Sequence, residues 1–315
     1  MASQLSSGDI LADRRYRYAE ACLAEGDYGG AADLAAQALE IAPRYAPAWL
    51  LLGRAREGLA AAGGSPDLRD AAVRAYACAL DIDPDDTLGV RAHLARLGVA
   101  DGRPILTPAY VRALFDGYAP RFERHLVDGL TYVGPELVRN ALPPEPRLFA
   151  RVLDLGCGTG LMGAAIRDRA GHLTGVDLAP GMLALARAKS REGRPLYDRL
   201  AEGELTAFLA GEAAASADLC MAADVLIYVA DLAPVVAEMG RVLRPGGLAA
   251  FTVQSHDGPG VALGADGRYA HADAHTEAAA RDAGFALLTL EPAAVRTEAG
   301  RPVPGRVVVL RRTAA

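Results

Sequence analysis

The chain is nearly without lysine. Of its 33 basic side chains only Lys189 is a lysine, and the rest are arginines. A Walker-type phosphate loop needs a lysine after its glycine run, whereas Lys189 sits in RAKSRE. Schiff-base chemistry needs a desolvated lysine, and Lys189 lies among charges. Cysteine is also scarce: Cys22, Cys78, Cys157 and Cys220 are scattered, with no C-x-x-C pair. In a chain of 315 residues that pattern implies reduced thiols in a cytoplasm, not a disulfide framework, and no metal-ligand cluster is expected. Neither Cys157 nor Cys220 has a base beside it in sequence, so both read as small fillers. The opening MASQLSSGDILADRR lacks the apolar core of a signal peptide. No run reaches 18 uncharged apolar residues, so no membrane span is expected and the expected location is cytoplasmic. Basic residues do not predominate: 33 face 39 acidic ones, a formal charge of -6, which argues against a nucleic-acid partner.

What is present is apolar surface, 51% of residues against 23% charged, enough for cores in about two domains. The first hundred residues are rich in Ala, Leu and Arg. GDYGGAADLAAQALEIAP, Gly26 to Pro43, resembles DLRDAAVRAYACALDIDP, Asp67 to Pro84. Ala31 matches Ala72, Ala38 matches Ala79 and Leu39 matches Leu80. Small residues seven apart share one helical face and let a neighbouring helix approach. Pro43 and Pro84 then end each helix. Trp49, Leu52 and Gly53 stand between them in a W-x2-L-G pattern. These segments resemble the tetratricopeptide repeat, although their prolines are 41 apart where the repeat has 34 residues. The excess falls in AAGGSPD, and TLGVRAHLARLG supplies a candidate closing helix. A generic alanine-rich bundle is the alternative. Two repeats rarely stand alone, so they would lean on the closing helix, the next domain or a second copy in a homodimer.

The expected division is a flexible N-terminus over 1–12, a helical repeat domain over 13–100, a linker over 101–109 and a second domain over 110–315. In that second domain the pattern changes to alternating strands and helices. RLFARVLDLG is a strand ending near Leu155, GCGTG follows, then the helix LMGAAIRDRA, the strand LTGVD ending at Asp177, and the helix APGMLALARAKS. A dinucleotide fingerprint beginning at Gly156 would need glycine at 161, where Leu161 stands. The observed pattern is D-x-G-x-G-x-G: Asp154, Gly156, Gly158 and Gly160. Further strands are expected in YDRLAEGEL, ADLCMAADVLIYV, LAAFTVQ, FALLTLE and RVVVLRR.

The glycine pattern with Asp177 beyond it resembles class I S-adenosylmethionine-dependent methyltransferases. YVRALFDGYAPRFERHL, YDRL, AADVLIYVADL, GRYAHAD and PGRVVVLRR add a resemblance, over nearly the whole chain, to a bacterial group of predicted methyltransferases containing tetratricopeptide repeats. The resemblance implies an α/β, Rossmann-like sheet of seven strands, with the last strand antiparallel between the fifth and sixth. It implies that Gly156, Gly158 and Gly160 lie under the methionine part of S-adenosyl-L-methionine, with Asp154 near its amine. It places Asp177, with Leu178 beside it, at the ribose, and Glu204 with Leu205 at adenine, Glu202 being the alternative. From Phe115 to Leu126, Phe115, Tyr118, Phe122 and His125 recur at helical spacing and share a face. An aromatic from such a segment closes over the cofactor in similar enzymes, and Tyr118 and Phe122 are the candidates; packing on the sheet is the alternative.

The acceptor belongs beyond the C-terminal ends of the fourth and fifth strands. Asp224 and Tyr228 follow the fourth; Asp224 is assigned to the cofactor side, or else caps the next helix. His256 follows the fifth. Arg268, Tyr269 and His271 lie in an insertion, GPGVALGADGRYAHAD, that could fold as a lid. A histidine is the natural base near neutral pH, so the catalytic candidates are His271, then His256, with Tyr228. The expected function is methyl transfer to O or N of a small-molecule acceptor. The alternatives are a protein acceptor recruited by the repeats, and a non-catalytic interaction protein with a vestigial cofactor fold.

Overall fold

The computed structural model describes residues 6–65, 67–99, 102–124, 131–145, 147–298 and 300–314. The chain divides into two compact units, Met1–Ala113 and Leu114–Ala315. Among the described residues no helix is long and apolar enough to cross a membrane.

The first unit is helical: α1 (Ile10–Glu25), α2 (Tyr28–Ile41), α3 (Ala46–Ala61), α4 (Asp67–Ile82) and α5 (Val90–Arg96). Asp9 caps α1 by accepting from the Leu11 and Ala12 amides, and Gly26 ends it in a left-handed conformation. Each helix packs on the next. The matched alanines Ala31, Ala38, Ala72 and Ala79 are all fully buried, as the close approach of neighbouring helices requires. At Gly53 in α3 a Cβ would run into the ring of Tyr76 from α4. The Tyr76 hydroxyl donates to Glu57 Oε2 at 2.6 Å. The segment expected to close the repeats forms α5, with Val90 and Leu94 buried against Ala72, Tyr76 and Ala79.

A sixth helix, α6 (Pro108–Tyr118), spans the division between the units. The continuous helix expected through position 126 is broken. A 3-10 turn over Ala119–Arg121, with proline near its start, separates α6 from the short α7 (Phe122–Arg124). Proline removes a backbone donor and so interrupts an α-helix. His125 lies outside the described residues.

The second unit continues with α8 (Gly134–Ala141), β1 (Phe149–Leu155), α9 (Leu161–Ile166), β2 (Ala170–Asp177) and α10 (Pro180–Ala188). A small hairpin follows, β3 (Ser190–Arg191) with β4 (Arg194–Pro195), then β5 (Arg199–Glu202), α11 (Leu205–Gly211), β6 (Ala217–Ala222) and α12 (Leu232–Val242). The chain closes with β7 (Leu243–Ser255), β8 (Val261–Leu263), β9 (Tyr269–His271), α13 (Asp273–Asp282), β10 (Phe285–Glu298) and β11 (Arg301–Arg312).

Among the described residues the main sheet runs β10-β11-β7-β6-β1-β2-β5. The pairs β1–β2, β1–β6, β6–β7 and β2–β5 are parallel. β11 is antiparallel to β7 and lies between it and β10. This is a Rossmann-like α/β sheet with the last strand inserted antiparallel between the fifth and sixth main strands. Alternation along the strands makes two cores. Leu153, Leu155, Cys220, Phe251 and Val308 face α11, α12 and α13; Val152, Leu219, Met221 and Val309 face α8, α9 and α10. Cys157 and Cys220 are free and buried, as fillers should be.

The insertion expected as a lid instead extends the sheet. β9 pairs parallel with the end of β7, Gln254 opposite Ala270 and Ser255 opposite His271, and β8 adds antiparallel to β9. The order of strands also fixes the place for a ligand. From β1 the chain passes to β2 on one side, while β6 lies on the other, and the crevice at such a reversal opens beyond the strand C-termini.

Candidate cofactor and acceptor site

The loop after β1 needs its glycines. Gly156, Gly158 and Gly160 have φ of 68°, 52° and 96°, the left-handed region that side chains rarely adopt. Gly156 is backed by Val225, and Gly160 by Tyr197 and Leu196. At Gly158 the nearest atom to an added Cβ is a Phe122 ring carbon at 3.9 Å, so the backbone is open there. Asp177, at the end of β2, holds this loop directly. Its Oδ2 accepts from the Gly158 amide at 2.8 Å and its Oδ1 from the Ala179 amide at 2.9 Å. Burial raises the pKa of the Asp177 carboxyl, and the two amides oppose that rise.

Asp154 lies behind the loop and is 1% exposed. Its Oδ2 accepts from the Tyr197 hydroxyl at 2.6 Å. Burial pushes its pKa up to about 7, with the Tyr197 hydrogen bond pulling down and the Asp177 charge adding to the rise. In the sequence Tyr197 is distinguished only as part of the third strand. It precedes β5, is buried, and lays its ring against Gly160, Gly163 and Gly175. Its role is not visible in a one-dimensional pattern, because the three glycines that accommodate it come from separate elements.

Phe115, Tyr118 and Phe122 come together despite the broken helix. Their ring centroids are 6.0 Å apart for Phe115 and Phe122, and 5.6 Å for Tyr118 and Phe122. Asp116 accepts from the Gly181 amide at the start of α10 at 2.8 Å. Leu178 is half-buried just after β2. Glu204 is the N-cap of α11, accepting from the Ala207 amide, and Leu205 is buried in that helix. Glu202 ends β5 opposite Asp177. Lys189 pairs with Glu123.

The other half of the site is ionic. Asp224 follows β6 at φ 59°, a strained conformation for a residue with a side chain. It does not cap α12; Asp231 does, by accepting from the Ala233 amide. Asp224 instead donates its amide to Thr252 Oγ1 at 2.9 Å and accepts from Arg296 Nη1 at 2.6 Å. Arg296 is 2% exposed. It also donates to Gln254 Oε1 and Glu298 Oε1, both at 3.0 Å. Arg268 pairs with Glu298, lies 3.6 Å from Asp266, and donates to the Tyr228 hydroxyl at 3.4 Å. Tyr228 in turn meets Phe115 edge-on at 5.3 Å. Contacts therefore run continuously from Gly158 through Phe122, Phe115 and Tyr228 to Arg268. They return through Glu298, Arg296 and Asp224 to Val225 and Gly156.

The two histidines separate. His271 is fully buried in β9; its Nε2 donates to the Val229 carbonyl at 2.9 Å, and Nδ1 has no hydrogen-bond partner. Burial pushes its pKa down to about 4. This corrects the expectation of an accessible base: the neutral imidazole ties β9 to the turn carrying Tyr228. His256 is partly exposed, with Nδ1 accepting from the Gly258 amide at 3.1 Å. Arg296 is absent from the sequence expectations because FALLTLE places the end of its strand at Glu291. The strand continues to Glu298, pairing along a β11 that begins at Arg301. The length of that partner is the available signal.

The donor set fits S-adenosyl-L-methionine. An open glycine backbone, a ribose-competent carboxylate at the end of β2 and a buried carboxyl behind the loop suit an amino-acid end joined to a nucleoside. Residues 153–251 match the family model described as a methyltransferase domain. The chain is 33% identical over 147 residues to the malonyl-[acyl-carrier protein] O-methyltransferase of Enterobacter lignolyticus, covering 47% of this chain and 54% of that one. It is 32% identical over 176 residues to a ubiquinone biosynthesis O-methyltransferase of Methylocella silvestris, covering 53% and 62%. The chain thus spans about half the length of these curated relatives. Its fold is similar to that of the Burkholderia thailandensis 1,6-didemethyltoxoflavin-N1-methyltransferase, solved with its acceptor and S-adenosylhomocysteine (TM-score 0.52, 19% identity, 69% of this chain and 93% of that one). Over residues 153–251 the chain is thus similar to a methyltransferase domain.

Proposed function

We propose that this protein is an S-adenosylmethionine-dependent methyltransferase acting on oxygen or nitrogen of a small-molecule acceptor. The observation that carries the reading is the glycine loop, held by Asp177 through the Gly158 amide. S-adenosylmethionine, when bound, supplies an activated methyl group. Gly156, Gly158 and Gly160 let the backbone approach its amino-acid end, with Asp154 behind them. Asp177 and Leu178 take the ribose, and Glu204 and Leu205 border the adenine. Tyr118 and Phe122 exclude water from above the loop. Asp224 stands between the cofactor loop and the acceptor side, where Tyr228 and His256 lie. Much of the rate in such a displacement comes from alignment, which this preorganised frame supports. Both relatives' printed activities are O-methylations, which agrees with transfer to oxygen; the ubiquinone-biosynthesis relative is the one that agrees with a small acceptor, since the malonyl group is borne on a carrier protein.

The helical unit is read as tetratricopeptide-like, on the strength of the buried matched alanines and the Gly53–Tyr76 contact. A cavity of about 570 Å³, lined by Val73, Leu80, Leu94, Val99 and Ile105 among others, lies within it. That concavity favours a second reading in which the unit recruits a partner, including a protein that is itself methylated.

The test is calorimetric titration of S-adenosylhomocysteine, followed by incubation with methyl-labelled cofactor and cell-extract fractions. Micromolar binding, about -8 kcal/mol, is expected. Label should enter small molecules; label in protein would favour the recruited-protein reading, and no binding would contradict both.

A further inference from the structure

The ionic half of the site bears on which acceptor it takes. Three carboxylates, from Asp224, Glu298 and Asp266, stand around two guanidiniums, from Arg296 and Arg268. Arg296 is spent on its own chain: Nη1 on Asp224, Nε on Glu298, and Nη2 on Gln254, 3.7 Å from Asp266. Arg268 is likewise engaged by Glu298, Asp266 and the Tyr228 hydroxyl. Counted as ionised, the cluster carries one excess negative charge. Tyr228 joins it to the aromatic wall over the glycine loop, and Val225, next to Asp224, backs Gly156. The cluster therefore borders the same site as the cofactor loop.

We propose that this cluster selects a neutral hydroxyl or an amine as the methyl acceptor and turns away carboxylates. The inference rests on the methyltransferase reading. A carboxylate entering here would find the guanidiniums already matched and an unmatched like charge, in surroundings where charges interact more strongly than in water. A hydroxyl or a neutral amine can donate a hydrogen bond to those same carboxylates. The transfer then balances. The acceptor lone pair forms the bond to the methyl carbon, the carbon–sulfur pair stays on sulfur, and the acceptor's proton passes to a carboxylate of the cluster and on to solvent. Positive charge developing on the acceptor atom faces fixed negative charge, which is the arrangement that lowers such a barrier. Asp224 is the member placed for this, because its strained backbone after β6 sets it beside the loop.

Two measurements on the full chain test the proposal. First, label transferred from methyl-labelled S-adenosylmethionine to extract metabolites is treated with base. Carboxyl methyl esters release volatile methanol, whereas methyl ethers and N-methyl groups survive. Most of the label is expected to survive; release as methanol would overturn the inference while leaving the methyltransferase reading intact. Second, the affinity of sinefungin, whose charged amine stands where the methyl group would be, is compared with that of S-adenosylhomocysteine. Asp224→Asn should reduce the preference for sinefungin by about fivefold or more, and Arg268→Leu should raise it, because the two remove charges of opposite sign. Asparagine tolerates positive φ, so the first variant keeps its backbone. Movement in the same direction, or no movement in either variant, would overturn the proposal. If the wild-type protein binds neither ligand and transfers no label, the methyltransferase reading falls and this inference falls with it.

Discussion

The two units bury charge for different reasons. In the helical unit Asp86 is fully buried, yet its role is ordinary, since its oxygens accept from the Val90 and Arg91 amides and start α5. Arg91, also buried, lies 3.7 Å from it, and the rest of that core is mainly alanine, leucine and a few tyrosines. In the sheet unit Asp154, Asp177, Asp224, Arg296 and His271 gather around the C-terminal ends of the strands and the segments that follow them. None of these caps a helix; Asp177 holds the Gly158 and Ala179 amides. Buried ions are costly, and replacing them with apolar groups is often neutral or better for stability. The groups beyond the strand C-termini border the glycine loop and mark where the fold serves chemistry, whereas buried Asp86 at its turn, and buried Glu212 and Asp218, each paired with arginine, serve structure.

The largest expected effect strikes the side of this comparison that carries buried charge. Arg296→Met should cost about 3–5 kcal/mol by stranding Asp224, whose ion-pair partner it is, read as a fall in the urea midpoint. A loss well under 1 kcal/mol would mean that the cluster is not buried as a unit. The next effect is on pH dependence. His271 has an ordinary pKa of 6.5 lowered to about 4, so the unfolded chain binds its proton first as pH falls. Its contribution is complete above about pH 6.5 and is lost towards pH 4, on the order of 3 kcal/mol. Asp154, raised to about 7, acts in the opposite direction over the same range. The informative quantity is thus the stability difference between wild type and His271→Gln, which should shrink on acidification; a constant difference would contradict a buried neutral imidazole.

Smaller effects sharpen the contrast. Tyr197→Phe keeps the ring between its glycines but removes the donor to Asp154, at a cost of about 1–3 kcal/mol and with weaker S-adenosylhomocysteine binding. Unchanged stability and affinity would show that this hydrogen bond matters to neither. In the other unit, Gly53→Ala should cost about 1–2 kcal/mol by crowding Tyr76, as overpacking does, while leaving S-adenosylhomocysteine affinity unchanged. An equal loss of affinity would erase the functional distinction between the units.

What can be read from the sequence follows from locality. The glycine loop and Asp177 depend on neighbours within a few residues, and the succession of strands and helices on a simple alternation, and the folded chain has them; the place of the last strand between the fifth and sixth follows only from the resemblance. The rest depends on distant partners. His271 occupies a plausible insertion, but its burial is decided by β9 pairing with β7. The break after Tyr118 is signalled by the proline in APR, which the helical spacing of the aromatics masks. Arg296 is hidden because a strand's end is set by its partner, and Tyr197 because the space it fills is assembled from Gly160, Gly163 and Gly175.

The central claim is that the loop from Gly156 to Gly160 holds S-adenosylmethionine. The most direct measurement is calorimetric titration of S-adenosylhomocysteine into the wild-type protein and into Gly158→Arg, which places a long side chain where the backbone is open. Wild type should bind with micromolar affinity, and the variant, melting cooperatively, should bind about 100-fold more weakly or not at all, a difference of about 2.7 kcal/mol or more. Equal affinity in the two proteins, or no binding in the wild type, would contradict it.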